Sequence, residues 1–285
     1  MWIKRLAKSM LGPKYWDNLR LWFYRNNLND GKMQDIARVI LGPKCWIELR
    51  AWFYRNNLTT LAFLYGTDKA GGHSYTQHYE RHFAYLRKRH FNLLEIGVGG
   101  GEYTGKGGNS LRMWKKYFPK ANIFSIDCFD KSALQESRIT IYQGSQNDTK
   151  FLNSIASKIG RVDVIIDDGS HINEHVLTSF SVLFPHLTDG GMYVIEDTHT
   201  AYDERFGGSE KSNATDTSMA LVKSLLDALN WEEFVKTSPP EIGRDIVSVC
   251  CYHNLVFIRK GQNEEGGHNH RKHKIYSETE GVKKI

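Results

Sequence analysis

The sequence lacks any apolar run approaching the roughly 18 residues that a membrane span requires, and its first 14 residues carry lysines without the apolar stretch of a signal peptide, so export is not expected. Cysteine is scarce: there are 4 in 285 residues, and two of them, Cys250 and Cys251, are adjacent. That spacing excludes a disulfide framework and fits a reducing, cytoplasmic setting. Acidic charge is scarce at the front. Residues 1–60 hold 4 Asp+Glu against 11 Lys+Arg, a surplus of +7 in a chain of net charge +6, which leaves −1 for the remainder. What is present is an ordinary globular composition, 40% hydrophobic and 25% charged. It excludes a disordered or collagen-like chain, and the length suits one large domain or one domain with an extension.

The basic front is a duplication. LGPKYWDNLRLWFYRNNL, residues 11–28, returns as LGPKCWIELRAWFYRNNL, residues 41–58, identical at 14 of 18 positions. Each copy predicts a short helix. Pro13 or Pro43 sits in the first turn, where no N–H is missed, and Asn-Asn at the end tolerates a left-handed cap. Trp46, Leu49 and Phe53 repeat Trp16, Leu19 and Phe23 at helical spacing, and five of the seven tryptophans fall here. Residues 1–60 are therefore expected to form a helical arm that packs on its own domain or on a second copy of the chain in a homo-oligomer. A basic, aromatic-rich helix also suits an anionic membrane surface or a partner protein. Nucleic acid is not expected, because no recognised binding motif accompanies the charge.

From residue 91 the pattern changes. LLEIGV (93–98), NIFSID (122–127), ITIYQG (139–144), VDVIIDD (162–168) and GMYVIED (191–197) are apolar runs of strand length, separated by segments of helical periodicity. The alternation predicts an α/β domain over 61–260, a mostly parallel sheet with helices on both faces. Residues 246–260 predict a pair of strands as an antiparallel edge, and 261–285 a loose polar tail.

In such a sheet ligands bind beyond the carboxyl ends of the strands, and here those ends are acidic. The first ends in Gly97-Val98-Gly99-Gly100-Gly101-Glu102 and the second in Asp127. Glycines permit a tight turn against a ligand, and an acid at the end of the second strand suits the two hydroxyls of a ribose. Glu102 stands where a dinucleotide loop would need its third glycine, and a carboxylate there repels a pyrophosphate. S-adenosylmethionine (SAM), which has a ribose and no phosphate, fits better than NAD. A tight turn without a ligand remains the plainer alternative.

The fourth and fifth strands end in Asp167-Asp168 and Glu196-Asp197. Asp168, Glu196 and Asp197 can converge as hard oxygen ligands, the set Mg²⁺ prefers. The ion would relieve their mutual repulsion and acidify an alcohol. His171 follows closely enough to act as general base. The plainer alternative is that the acids cap helices and His171 is a surface histidine. His171-Ile172-Asn173-Glu174-His175 also spells the inverted zinc-protease motif, which would leave the glycine loop and Asp127 without a purpose.

With these residues in view, DDGSHINEHVLTSFSVLFPHLTDGGMYVIEDTHTAY, LLEIGVGGGEYTGKGGNSLRMWKKYFP and TDKAGGHSYTQHYE resemble the metal-dependent class I SAM O-methyltransferases of macrolide deoxysugars, the mycinamicin sugar 2-O-methyltransferase type. The likeness covers about residues 60–260. It implies a Rossmann-like class I methyltransferase fold, with Asp168, Glu196 and Asp197 on Mg²⁺ and His171 as base. It also implies that Glu95, Gly97, Tyr103, Asp127, Ser145, Gln146 and Asp168 line the SAM site, and that Thr67, Lys69, His73 and Tyr75 lie in a segment folded near the cofactor. The acceptor would be a small glycosylated or polyhydroxylated molecule. A polyketide, phenol or catechol hydroxyl, or a binding module that has lost catalysis, are the rival readings. The duplicated arm lies outside the resemblance.

Overall fold

The computed structural model describes residues 30–234, 241–264 and 266–268. The first copy of the repeat and the tail beyond residue 268 lie outside the described residues. The chain divides after Gln77 into two compact units.

In the first unit, helix α1 (Asp30–Phe53) breaks at Gly42, whose φ of 73° and ψ of 161° are not helical, and Pro43 opens the second half as the sequence predicts. Trp46 and Ala51 are buried, while Trp52 is exposed with the Arg55 guanidinium 4.7 Å above its ring. The Asn-Asn pair does not cap this helix in a left-handed turn. Asn57 instead opens α2 (Leu58–Tyr65), its Oδ1 accepting from Thr60 N at 2.7 Å, because a helix restarting at once needs an N-terminal acceptor more than its predecessor needs a C-terminal turn. Helix α3 (Thr76–Phe83) spans the division between the units.

Among the described residues the second unit carries one seven-stranded sheet. Its strands are β1 (Asn92–Ile96), β2 (Asn122–Asp127), β3 (Ile139–Gln143), β4 (Val162–Asp167), β5 (Leu187–Glu196), β6 (Ile246–Tyr252) and β7 (Leu255–Lys260), in the order β3-β2-β1-β4-β5-β7-β6. The first five are parallel, and β7 runs antiparallel to both β5 and β6. The expected mostly parallel sheet with an antiparallel pair at its edge is present. Strand β5 starts four residues before the expected apolar run. Thr188-Asp189-Gly190-Gly191 reads as a turn in the sequence, yet it extends alongside an irregular register at Val162 and Val164.

Helices α4 (Asn109–Tyr117), α5 (Thr149–Ile159), α6 (Asn173–Leu183) and α7 (Ser218–Leu229) complete the unit. On one face, Leu94, Ile96, Ile165, Tyr193 and Ile195 pack with Leu152 and Ile155 of α5, Phe180 of α6 and Val222 of α7. The opposite face is aromatic. Tyr79 lies 5.0 Å from Trp114 of α4 and 5.3 Å from Phe257 of β7, ring centre to ring centre. Strand alternation therefore sends Glu95 and Glu196 toward the aromatic face and Asp167 toward α6. Chain order reverses between β1 and β4, which opens a crevice at their carboxyl ends.

Candidate active site

Two strand-end loops meet in that crevice. Asp168 N donates to Ile96 O at 3.1 Å, and Gly97, at φ 96°, lies so close that an added Cβ would stand 2.2 Å from the Asp168 carbonyl oxygen. Only glycine fits, for shape and for backbone angle alike. Beside it, both oxygens of Asp127 accept backbone N–H groups, Oδ2 from Val98 at 3.0 Å and Oδ1 from Phe129 at 2.9 Å. These bonds fix the carboxylate at the tip of β2 and leave lone pairs for two further donors.

At the tips of β4 and β5, Asp168, His171 and Asp197 each present a ligand atom, all within 4.8 Å of one another. His171 Nε2 lies 3.7 Å from Asp197 Oδ2. His171 (φ 60°) and Asp197 (φ 54°) both adopt left-handed backbone, an unusual cost for residues with a side chain and one concentrated where function fixes geometry. Helix capping does not account for the acids. The N-cap of α6 is Ile172, and Asp197 makes no capping bond to the short turn it opens. Asp148 shows what capping looks like here, with Oδ1 accepting from Lys150 N and Phe151 N at the start of α5. Two partly exposed carboxylates this close fit a divalent cation, and the His171 imidazole beside them is within reach of a group bound to that ion. Glu196 is outside this set of three. It is buried, and its Oε1 accepts from the Tyr79 hydroxyl at 2.5 Å. Burial, and then the charges of Glu196, Asp168 and Glu95, hold the Tyr79 phenol well above its ordinary range. Burying acids in an aromatic layer costs several kcal/mol each even after relaxation, a cost that a core built for stability alone would avoid.

The loop bearing Asp168 and His171 is held from behind. Asp167, 2% exposed, accepts from the Ser179 hydroxyl, from Tyr193 Oη at 3.2 Å and from Gln146 Nε2 at 3.2 Å. Burial outweighs these bonds and pushes its carboxyl up to about 6. Gln146 Oε1 accepts from Ser170 N at 2.7 Å, and the Ser170 hydroxyl meets His175 Nδ1 at 2.8 Å. The Gln146 amide thus bridges two strand ends. Ser145 is exposed and uses its hydroxyl to accept from Asn147 N. The zinc-protease pattern does not assemble, because His171 precedes α6 and neither Glu174 nor His175 joins the cluster among the described residues.

Tyr103 is 59% exposed on the glycine loop, under the Lys106 ammonium. Thr67, Lys69 and Tyr75 are buried within a tight turn of the first unit, where Tyr75 N donates to Lys69 O and His73 stacks on Tyr75 at 4.6 Å. Sequence reasoning missed Tyr79 and Lys131. Tyr79 sits in TQHYERHF, and its spacing to Phe83 signals only a core face.

No family model matches the chain. It is 49% identical over 212 residues to the mycinamicin VI 2″-O-methyltransferase of Micromonospora griseorubida, a match covering 73% of this chain and 53% of that one. It is also 49% identical over 208 residues to the demethylmacrocin O-methyltransferase of Streptomyces fradiae, covering 71% and 53%. Among solved structures it resembles the methyltransferase MycE of the mycinamycin biosynthetic pathway in complex with Mg, S-adenosylhomocysteine (SAH) and mycinamycin VI, at TM-score 0.72 and 49% identity over 74% of this chain and 55% of that one. The chain spans about half the length of the curated relatives it matches.

Proposed function

We propose, from the premise that this chain belongs to the macrolide sugar O-methyltransferases, that it transfers a methyl group from SAM to a sugar hydroxyl of a glycosylated natural product. The observation that carries this reading is the meeting of four neighbouring strand ends: Gly97 and Asp127 after β1 and β2 on one side, and Asp168, His171 and Asp197 after β4 and β5 on the other.

When bound, SAM supplies a methyl group on a positively charged sulfur, and Mg²⁺ supplies a charge that makes a neighbouring alcohol more acidic. Asp127, already oriented by two backbone donors, accepts the ribose hydroxyls. Gly97 would keep the chain low enough for the donor to lie against the sheet, with Tyr103 exposed on the glycine loop and Glu95 buried on the aromatic face of β1. Asp168 and Asp197 would hold the cation, and Glu196, outside that cluster and oriented by Tyr79, would supply the third carboxylate. His171 Nε2 takes the hydroxyl proton while the acceptor oxygen bonds to the methyl carbon. The carbon–sulfur bond breaks, sulfur keeps its electron pair, and SAH leaves. Gln146 and Asp167 keep the Asp168–His171 loop aligned, so that much of the acceleration comes from orientation.

The same reading includes a cytoplasmic setting, which four free thiols suit. Among the described residues, no helix is long and apolar enough to cross a membrane. The test is mass spectrometry after incubation with SAM, Mg²⁺ and a panel of macrolide glycosides and their aglycones. A gain of one methyl on glycosides only, lost in excess EDTA and restored by added Mg²⁺, is expected. Methylation of aglycones alone, or turnover that survives EDTA, would overturn the reading.

A further inference from the structure

Lys131 lies on the loop after β2, four positions past Asp127, and its side chain is 1% exposed. Its Nζ donates to Gly101 O at 2.6 Å, to Tyr103 O at 2.8 Å and to Lys106 O at 3.1 Å. An ammonium has three N–H groups, so these carbonyls use all of them. The segment that offers the carbonyls doubles back on itself. Gly99, Gly100, Gly101, Gly107 and Gly108 all have positive φ, and a Cβ on Gly107 would stand 2.2 Å from Gly99 O. Three carbonyl oxygens turned toward one interior point repel one another, and a flexible glycine loop would relieve that by opening. The buried cation removes the repulsion, and the carbonyls in turn satisfy a charge that could not stay buried without them.

We propose that Lys131 is a positioning residue for the methyl donor: it pegs the glycine loop shut beside Asp127 and so sets the affinity for SAM and SAH without bearing on the acceptor. This rests on the reading of the β1 and β2 ends as the donor site. A residue that merely fills the core would weaken the fold as a whole and shift both substrates together. A peg shifts one.

The experiment compares wild type, K131M and K131R in the full chain with Mg²⁺ present. Calorimetry measures the Kd for SAH, steady-state assays measure KM for SAM and for the acceptor, and limited trypsin digestion reads cutting after the exposed Lys106. K131M, which keeps the length and loses charge and donors, is expected to raise the SAH Kd about tenfold or more, in line with the loss of charge-assisted bonds. The acceptor KM should stay within about twofold, cutting at Lys106 should accelerate, and K131R should recover part of the SAH affinity. SAH binding by K131M within about twofold of wild type, with unchanged cutting, overturns the proposal alone. Wild type that binds no SAH overturns the donor reading and this assignment with it. Should K131M fail to fold, mild acetylation of wild type decides. Lys131 should be modified at least about tenfold more slowly than Lys106, and equal modification overturns the peg.

Discussion

Asp127 spends one lone pair of each oxygen on a backbone N–H and keeps the others available, so its orientation is set before any ligand arrives. Asp127→Ala should weaken SAH binding by roughly 10- to 100-fold, the range for hydrogen bonds to a charged group, as read by calorimetry. A Kd within twofold of wild type would remove it from the ribose role. Tyr79 acts at one remove, since its hydroxyl donates to Glu196 Oε1. Tyr79→Phe keeps the ring against Trp114 and Phe257 and deletes the donor. The Mg²⁺ concentration that half-restores turnover after EDTA should rise by about fivefold, equivalent to about 1 kcal/mol, with the SAH Kd held. Asp127 is legible in the sequence because it closes the strand that follows the glycine loop. Tyr79 and Lys131 are not, because their partners lie 117 and 25 to 30 residues away and local spacing carries no trace of such pairings.

Strand β4 shows the same division of labour along one element. At its carboxyl end Asp167 gathers Ser179, Tyr193 and Gln146 behind the Asp168–His171 loop. At its amino end Asp163 accepts from Asn92 N at 3.0 Å and Thr188 Oγ1 at 3.2 Å, tying together the starts of β1, β4 and β5. The two ends should respond differently. Gln146→Leu, which keeps volume and loses both bonds, should lower kcat about tenfold with little change in Tm, because it frees the loop rather than the core. Asp163→Ala should leave kcat and SAH affinity near wild type and lower stability by about 1–3 kcal/mol, the cost of stranding buried donors, visible as a fall in Tm. If both variants lost stability and activity in proportion, the division would be wrong. The apolar runs of β1 to β4 mark the strands, and the acids closing β4 and β5 mark the candidate site, where Asp168 and Asp197 lie together. The start of β5 was hidden because two glycines and an aspartate outweigh extended structure in a local reading, while pairing with β4 decides the matter. The Gln146 amide also bridges Asp167 and Ser170, a role set by the packing of separate loops that local sequence does not carry.

At the scale of the whole molecule, the proposed donor side and cation side are separate in sequence, residues 95–131 against 167–197, and meet backbone to backbone, where Asp168 N donates to Ile96 O and Gly97 lies against the Asp168 carbonyl. That junction has no side chain to act as a cushion. A ligand that stills one loop removes freedom from the other, and the second binding event then forfeits less disorder than it would alone. Donor and cation should therefore recruit one another, each tightening the other by a common factor, as linkage demands, of at least about fivefold. Titrating Mg²⁺ with and without saturating SAH measures that factor, and a value of one would mean that the two halves of the crevice are mechanically deaf to each other.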